Sequence, residues 1–264
     1  MEIQVQNNIL LIKPESLFEE KILNSDYFQS KLAYRIADNF EKEKSFKVIF
    51  NDDIFFIDGK NNIANIGDKN LTEGRLFYIL RMLVDRYIVC NGGIGLHSGL
   101  AYDKGTAFFL VGDTKCGKSF YVKKLKENNI KVLGDDHTII LNNSIMGNLK
   151  SRVRDNDCEY YENNSTSIQY LNNYLIFDIN INTKKEISEV SFEDYVKKLD
   201  LEPVLKYLYC GIETENQNIK MDNKIIENYR KKYLDFLKNA EKIIKINGNY
   251  FENNKRCDIW KLIQ

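Results

Sequence analysis

Eight residues constrain this chain more than any other stretch of it: Gly112-Asp113-Thr114-Lys115-Cys116-Gly117-Lys118-Ser119 fits G-x-x-x-x-G-K-[ST]. Such a string works only where a strand delivers it and a helix follows. The glycines let the backbone curl until successive N–H groups face one point, and the helix N-terminus adds its positive dipole end. Both flanks meet that demand, with an apolar run over 106–111 and helical apolar spacing over about 118–128. By chance the string would arise in a chain this long about one time in a hundred. The pattern predicts a nucleotide-phosphate site lined by Gly112, Asp113, Thr114, Lys115, Cys116, Gly117, Lys118, Ser119 and the next residue, Phe120. Lys118 would reach the β- and γ-phosphates, and the Ser119 hydroxyl would ligate Mg²⁺. Cys116 reads as a small residue tolerated in the loop, whose thiol would make the site sensitive to alkylation.

Residues 130–133 form a short apolar strand that ends at Gly134-Asp135-Asp136. The stretch 106–136 is then one strand–loop–helix–strand unit of about 30 residues, the size of a βαβ crossover. In a parallel sheet the carboxyl ends of strands open on one crevice, so both carboxylates should approach the phosphates. One would hold Mg²⁺ and the other would accept the proton of an incoming hydroxyl. The competing reading is an ordinary acidic surface turn. Only two histidines exist, and both flank this unit. His97, on a strand expected over 95–102, would tune the Asp pair or touch the γ-phosphate. His137, which opens a strand over 137–141, reads as surface or satisfied core.

Elsewhere the chain is less specific. Its 264 residues carry 38 Lys+Arg against 38 Asp+Glu, which argues against nucleic acid or anionic lipid as the main partner. No apolar run approaches a bilayer span, and residues 1–14 show no basic n-region, so no membrane segment or secretory signal is expected. Five widely spaced cysteines without C-x-x-C suggest a reduced, cytoplasmic protein. Helix-like spacing runs over 17–40, and a β-hairpin over 46–57 and 63–66 turns at Asp58-Gly59-Lys60-Asn61-Asn62. A helix capped by Thr72 follows, with Leu76, Ile79, Leu80, Leu83, Val84, Tyr87 and Ile88 on one stripe. Residues 151–173 are polar and read as a mobile loop, 174–181 as a buried strand, and 191–209 and 224–244 as helices. Arg152 and Arg154 would share a face if extended, able to stabilise a transferring phosphoryl or clamp an acidic substrate. A solvated basic patch is the alternative. The fold class is α/β, with a small N-terminal α+β region over 1–70 and a larger unit over 71–264.

Leu96-His97-Ser98-Gly99-Leu100, the stretch 106–119 and Val132-Leu133-Gly134-Asp135-Asp136 together resemble the catalytic domain of HPr kinase/phosphorylase. The Gly-Asp-Asp is also similar to the metal motif of phosphoenolpyruvate carboxykinase, whose nucleotide-binding fold is related. The resemblance covers about a quarter of the chain, residues 76–141. It implies a P-loop kinase domain with Asp135 as catalytic base, Asp136 and Ser119 on the metal side, and His97 near the reacting phosphate. It implies transfer of the γ-phosphoryl of ATP, with Mg²⁺, to a serine or threonine hydroxyl of a peptide or protein. Smaller relatives include lasso-peptide kinases, and others phosphorylate small-molecule alcohols. Relatives often assemble as homo-oligomers. The glycine-rich signature tied to the phosphorylase reaction has no counterpart after Leu141, which speaks against HPr as acceptor and against phosphorolysis. No base-reading motif separates ATP from GTP. A function from another class, a nucleotide-binding switch or scaffold, fits the same loop.

Overall fold

The computed structural model describes residues 1–6, 9–37, 45–50, 56–58, 63–66, 73–155, 158–201, 205 and 223–248. The N-terminal region holds β1 (Glu2–Gln6), β2 (Ile9–Lys13), α1 (Leu17–Leu23), α2 (Asp26–Lys31), β3 (Arg35–Ile36), β4 (Phe46–Phe50), β5 (Phe56–Asp58) and β6 (Ile63–Ile66). Its strands form a mixed sheet in the order β3-β2-β1-β4-β6-β5. The single helix expected over 17–40 is two short ones, because Ser25 starts a second helix by accepting from the Phe28 N–H, as Ser16 caps the first through Glu19. The expected hairpin is β5 with β6; β4 instead pairs parallel to β6. The turn over 59–62 and the expected cap Thr72 lie outside the described residues.

Next comes α3 (Glu73–Cys90), whose stripe of Leu76, Ile79, Leu80, Leu83, Val84 and Ile88 is buried. One core joins it to Ile3, Leu10, Phe28 and Val48 from before residue 70 and to Ile139 and Met146 from after it. Two charged side chains on α3, Arg81 and Asp85, are also buried and pair at 2.7 Å.

The strand expected over 95–102 is broken at His97-Ser98 into β7 (Ile94–Leu96) and β8 (Gly99–Asp103). The halves have partners in different sheets, so the chain must turn between them. β7 joins β11 (Thr138–Leu141), β12 (Ser144–Gly147) and β15 (Gln169–Tyr170) in an antiparallel sheet, in the order β15-β12-β11-β7. β8 enters the main six-stranded sheet beside β9 (Thr106–Val111). After β9 come α4 (Lys118–Glu127) and β10 (Lys131–Gly134), and β10 pairs with the other edge of β8. The unit is therefore not a neighbouring parallel pair: antiparallel β8 stands between β9 and β10. Two antiparallel steps still leave β9 and β10 pointing the same way, with their carboxyl ends on one edge.

Residues 151–173 are not a loop. They contain β13 (Lys150–Asp155) and β14 (Cys158–Asn163), paired from Lys150↔Asn163 to Asp155↔Cys158, and then β15. Among its described side chains the ribbon buries only Ser151 and Val153 and exposes Glu159 and Tyr160, and apolar alternation is nearly absent from its sequence. Next come β16 (Asn173–Asn180), β17 (Glu186–Val190), α5 (Phe192–Lys197), α6 (Asn223–Lys238) and β18 (Lys242–Asn247). The helix expected over 224–244 stops at Lys238, and Ile243, Ile244 and Ile246 form a strand parallel to β16. Their β-branched side chains suit a buried strand better than another helical turn. Of the helix expected over 191–209, the continuous described part is α5.

The main sheet has the order β10-β8-β9-β16-β18-β17, and its central strands β9 and β16 are buried on both faces. Ala107, Phe109, Tyr174 and Ile176 pack toward Tyr233 and Phe236 of α6; Phe108, Leu110, Leu175 and Phe177 pack toward Tyr121, Val122 and Leu125 of α4. The fold is mixed α/β. Among the described residues no helix is long and apolar enough to cross a membrane.

Candidate functional site

The loop leaves β9 at Val111 and enters α4 at Lys118. Gly112 and Gly117 have φ of +135° and +103°, the region open to glycine at little cost. A Cβ at Gly117 would also stand 2.8 Å from Ile181, so the second glycine is fixed by close packing as well. The loop is tied to the end of β16: the Ile181 N–H donates to Cys116 O at 2.8 Å, and Asn182 Nδ2 donates to Lys115 O at 3.3 Å. Lys118 is buried and folds back into the loop, its Nζ donating to Gly112 O at 2.8 Å and Asp113 O at 2.9 Å. Its charge is thus held inside the ring that the loop makes. Cys116 is buried 3.8 Å from Lys118 Nζ, and burial pushes its thiol pKa up. Asp113, Thr114, Lys115 and Ser119 are exposed, and Phe120 is half-buried.

Asp135 and Asp136 follow β10 on the same edge. Asp135 is buried, and its Oδ1 meets no hydrogen-bond partner among the described residues. Burial first, and then the neighbouring Asp136, push its pKa up to about 7, although the nearby Ser119 hydroxyl pulls it down. For Asp136 burial acts in the same direction, but His97 and Lys31 outweigh it and hold the carboxyl below its ordinary value. Lys31 Nζ donates to Asp136 Oδ1 at 3.1 Å, and His97 Nδ1 lies 3.8 Å from the same oxygen. His97 stands on the bend between β7 and β8, and burial drives its pKa down to about 4, so the ring is neutral at pH 7.

The turn is built around a residue that sequence reasoning missed. Asn148 is fully buried, and its Oδ1 accepts from the backbone N–H groups of Asp135, Asp136 and His137 at 2.8, 3.0 and 3.2 Å. Its Nδ2 donates to Ser30 O at 2.9 Å and to Lys150 O at 2.5 Å. One amide thereby satisfies three successive donors of a buried turn. His137 lies behind the turn. Its Nδ1 accepts from the Ala33 N–H at 3.0 Å, which places the ring proton on Nε2, 3.0 Å from Asp85 Oδ1. Burial lowers its pKa to about 4, and Arg81 adds to the effect. Burial alone would raise Asp85, but Arg81 and His137 outweigh it and hold it low.

Two further residues frame the loop. Asp178 pairs with Val111 across β9 and β16, and its carboxyl is pushed up by burial and Asp113 against the pull of Lys245, 3.8 Å away. Lys31 comes from α2, 105 residues before its partner Asp136. A lone acid at the end of the apolar run over 174–181 was the only signal for Asp178; Lys31 left none. Arg152 lies on β13 as the extended reading requires, but it pairs with Glu159 at 2.6 Å. Arg154 is also on β13, and its side chain lies outside the described residues.

The residues fit a nucleotide-borne magnesium ion. Among the described residues no group of three or more His, Cys, Asp or Glu could hold a metal unaided. Ser119 and Asp136 carry oxygens of the hard kind that Mg²⁺ takes alongside phosphates and water, and Asp135 Oδ1 is buried with no hydrogen-bond partner among the described residues. No protein-family model matches this chain, and no curated protein matches it in sequence.

Proposed function

We propose that the chain is a P-loop kinase of the HPr kinase/phosphoenolpyruvate carboxykinase type, which uses ATP and Mg²⁺ to phosphorylate a hydroxyl group. The observation that carries this reading is the approach of Asp135 to Ser119: a buried carboxyl whose Oδ1 has no hydrogen-bond partner among the described residues lies near the first turn of the helix that follows the glycine loop. A surface acidic turn has no reason to be there.

In this mechanism Lys118 exchanges its loop carbonyls for β- and γ-phosphate oxygens, which the loop N–H groups also bind. Ser119 and Asp136 would hold Mg²⁺, which would supply charge neutralisation of the phosphates. Asp135, poised near pH 7, takes the acceptor's proton as its oxygen attacks the γ-phosphorus, and the bond from that phosphorus to the bridging oxygen breaks to release ADP. His97, neutral, orients Asp136. The acceptor proposed first is a Ser or Thr of a peptide or protein, and second a small-molecule alcohol. Labelled ATP incubated with Mg²⁺ and candidate extracts tests the reading. Wild type should pass label to an acceptor, and Asp135→Asn should bind Mg·ATP but pass none. Stoichiometric ATP binding with no labelled product from any extract would make the protein a nucleotide-dependent switch instead.

A further inference from the structure

The N-terminal region closes one side of the Asp-pair turn with three successive contacts. Ser30 O accepts from Asn148, the Ala33 N–H donates to His137, and between these two fixed points Lys31 reaches Asp136 Oδ1 at 3.1 Å. Arg81 Nη1 also reaches Lys31 O, at 3.5 Å. A surface lysine that finds a carboxylate by chance makes a contact of little weight. Here the backbone on both sides of the lysine is bonded to the turn that carries its partner. Both side chains are mostly buried, at 24% and 20% exposure, and His97 beside them is neutral.

We propose that Lys31 is the resident counter-ion of the metal-side carboxylate: its ammonium holds Asp136 Oδ1 where a divalent cation would bind, and the cation must displace it. This rests on the reading of Asp136 as a metal-side residue. An ammonium about 3 Å from an oxygen and a magnesium ion about 2 Å from it cannot share that oxygen without close approach of two cations. Lys31 is thus a positioning residue that acts through Asp136. It makes the N-terminal region part of the site, because filling the site with metal breaks one of that region's contacts.

Mn²⁺, followed by electron paramagnetic resonance on the full chain, is the probe. Without nucleotide, Lys31→Met should bind Mn²⁺ about tenfold tighter than wild type, since one competing charge is gone, and Lys31→Arg should bind as wild type does. A merely structural lysine predicts the opposite sense, weaker or unchanged binding in Lys31→Met, and that result would overturn the inference. Should Lys31→Met fail to fold, the wild-type Lys31 Nζ resonance decides. It should shift when Mg·ATP is added, and a resonance that stays put overturns the inference equally. Asp136→Asn separates the two levels. If it leaves Mn²⁺ binding in the presence of ATP unchanged, the metal-side reading fails and this inference with it. If it abolishes binding while Lys31→Met changes nothing, only the role of Lys31 falls.

Discussion

The glycine loop and the Asp-pair turn meet where Ser119 comes near Asp135, yet they are held in opposite ways. The loop is mostly self-supporting: two glycines set its path, Lys118 bonds its own loop carbonyls, and the end of β16 buttresses it. The turn has no such autonomy. A single amide, Asn148, gathers its three N–H groups, while α2 and the segment after it supply Lys31, Ser30 and Ala33 from more than a hundred residues away. Local geometry can present N–H groups to a phosphate, but a buried acid with a raised pKa needs a cage built from distant parts of the chain.

Substitutions can break this contrast in order of size. Lys118→Ala should remove the loop's charge without unfolding it, lowering any phosphoryl transfer by ~10³-fold or more, with the thermal melting curve little changed. Asn148→Ala should do the reverse. It strands three buried N–H groups and two carbonyls, and should cost about 4 kcal/mol of stability, read by urea unfolding, before any question of activity arises.

Asp135→Asn probes the turn's electrostatics and has a definite sign. Folding raises this carboxyl's pKa from 3.8 to about 7, so the stability it contributes is full below pH 3.8 and lost as pH rises through 7. The asparagine variant, which cannot ionise, should therefore be the more stable at pH 8, by about 4 kcal/mol, and the gap should close as the pH falls to about 4. If Asp135 is the proposed base, wild-type transfer should rise with pH through about 7, as the carboxyl loses its proton. A variant less stable than wild type at pH 8 would mean that the carboxyl is not strained by burial. The smallest effect belongs to Arg152→Ala. Its partner Glu159 sits on an exposed ribbon, so the change should cost under about 0.5 kcal/mol and leave nucleotide binding as it was.

The same contrast explains what could be read from the sequence. The loop, α4 and the strand after it are contiguous, and glycine, lysine and helical spacing are local signals, so they were legible to within a residue or two. The strands β8 and β10 were legible as strands, but their interleaving was not, because pairing is a long-range property. Asn148 follows a strand with no periodicity to mark it, and Lys31 is one of many lysines. Both matter only through partners that the fold brings to them. The ribbon of β13 and β14 escaped because it buries so little, and Ile243–Ile246 escaped because a helix ran toward it without a glycine or proline to signal the stop. The Arg81–Asp85–His137 group, hidden within an otherwise apolar helical stripe, shows the same limit.

Calorimetric titration with Mg²⁺ and a non-hydrolysable ATP analogue tests most directly whether loop and turn form one site. One molecule of nucleotide should bind per chain. Lys118→Ala should abolish that binding, and Asp136→Asn should abolish its dependence on Mg²⁺. Absence of binding, or binding indifferent to both substitutions, would contradict the account.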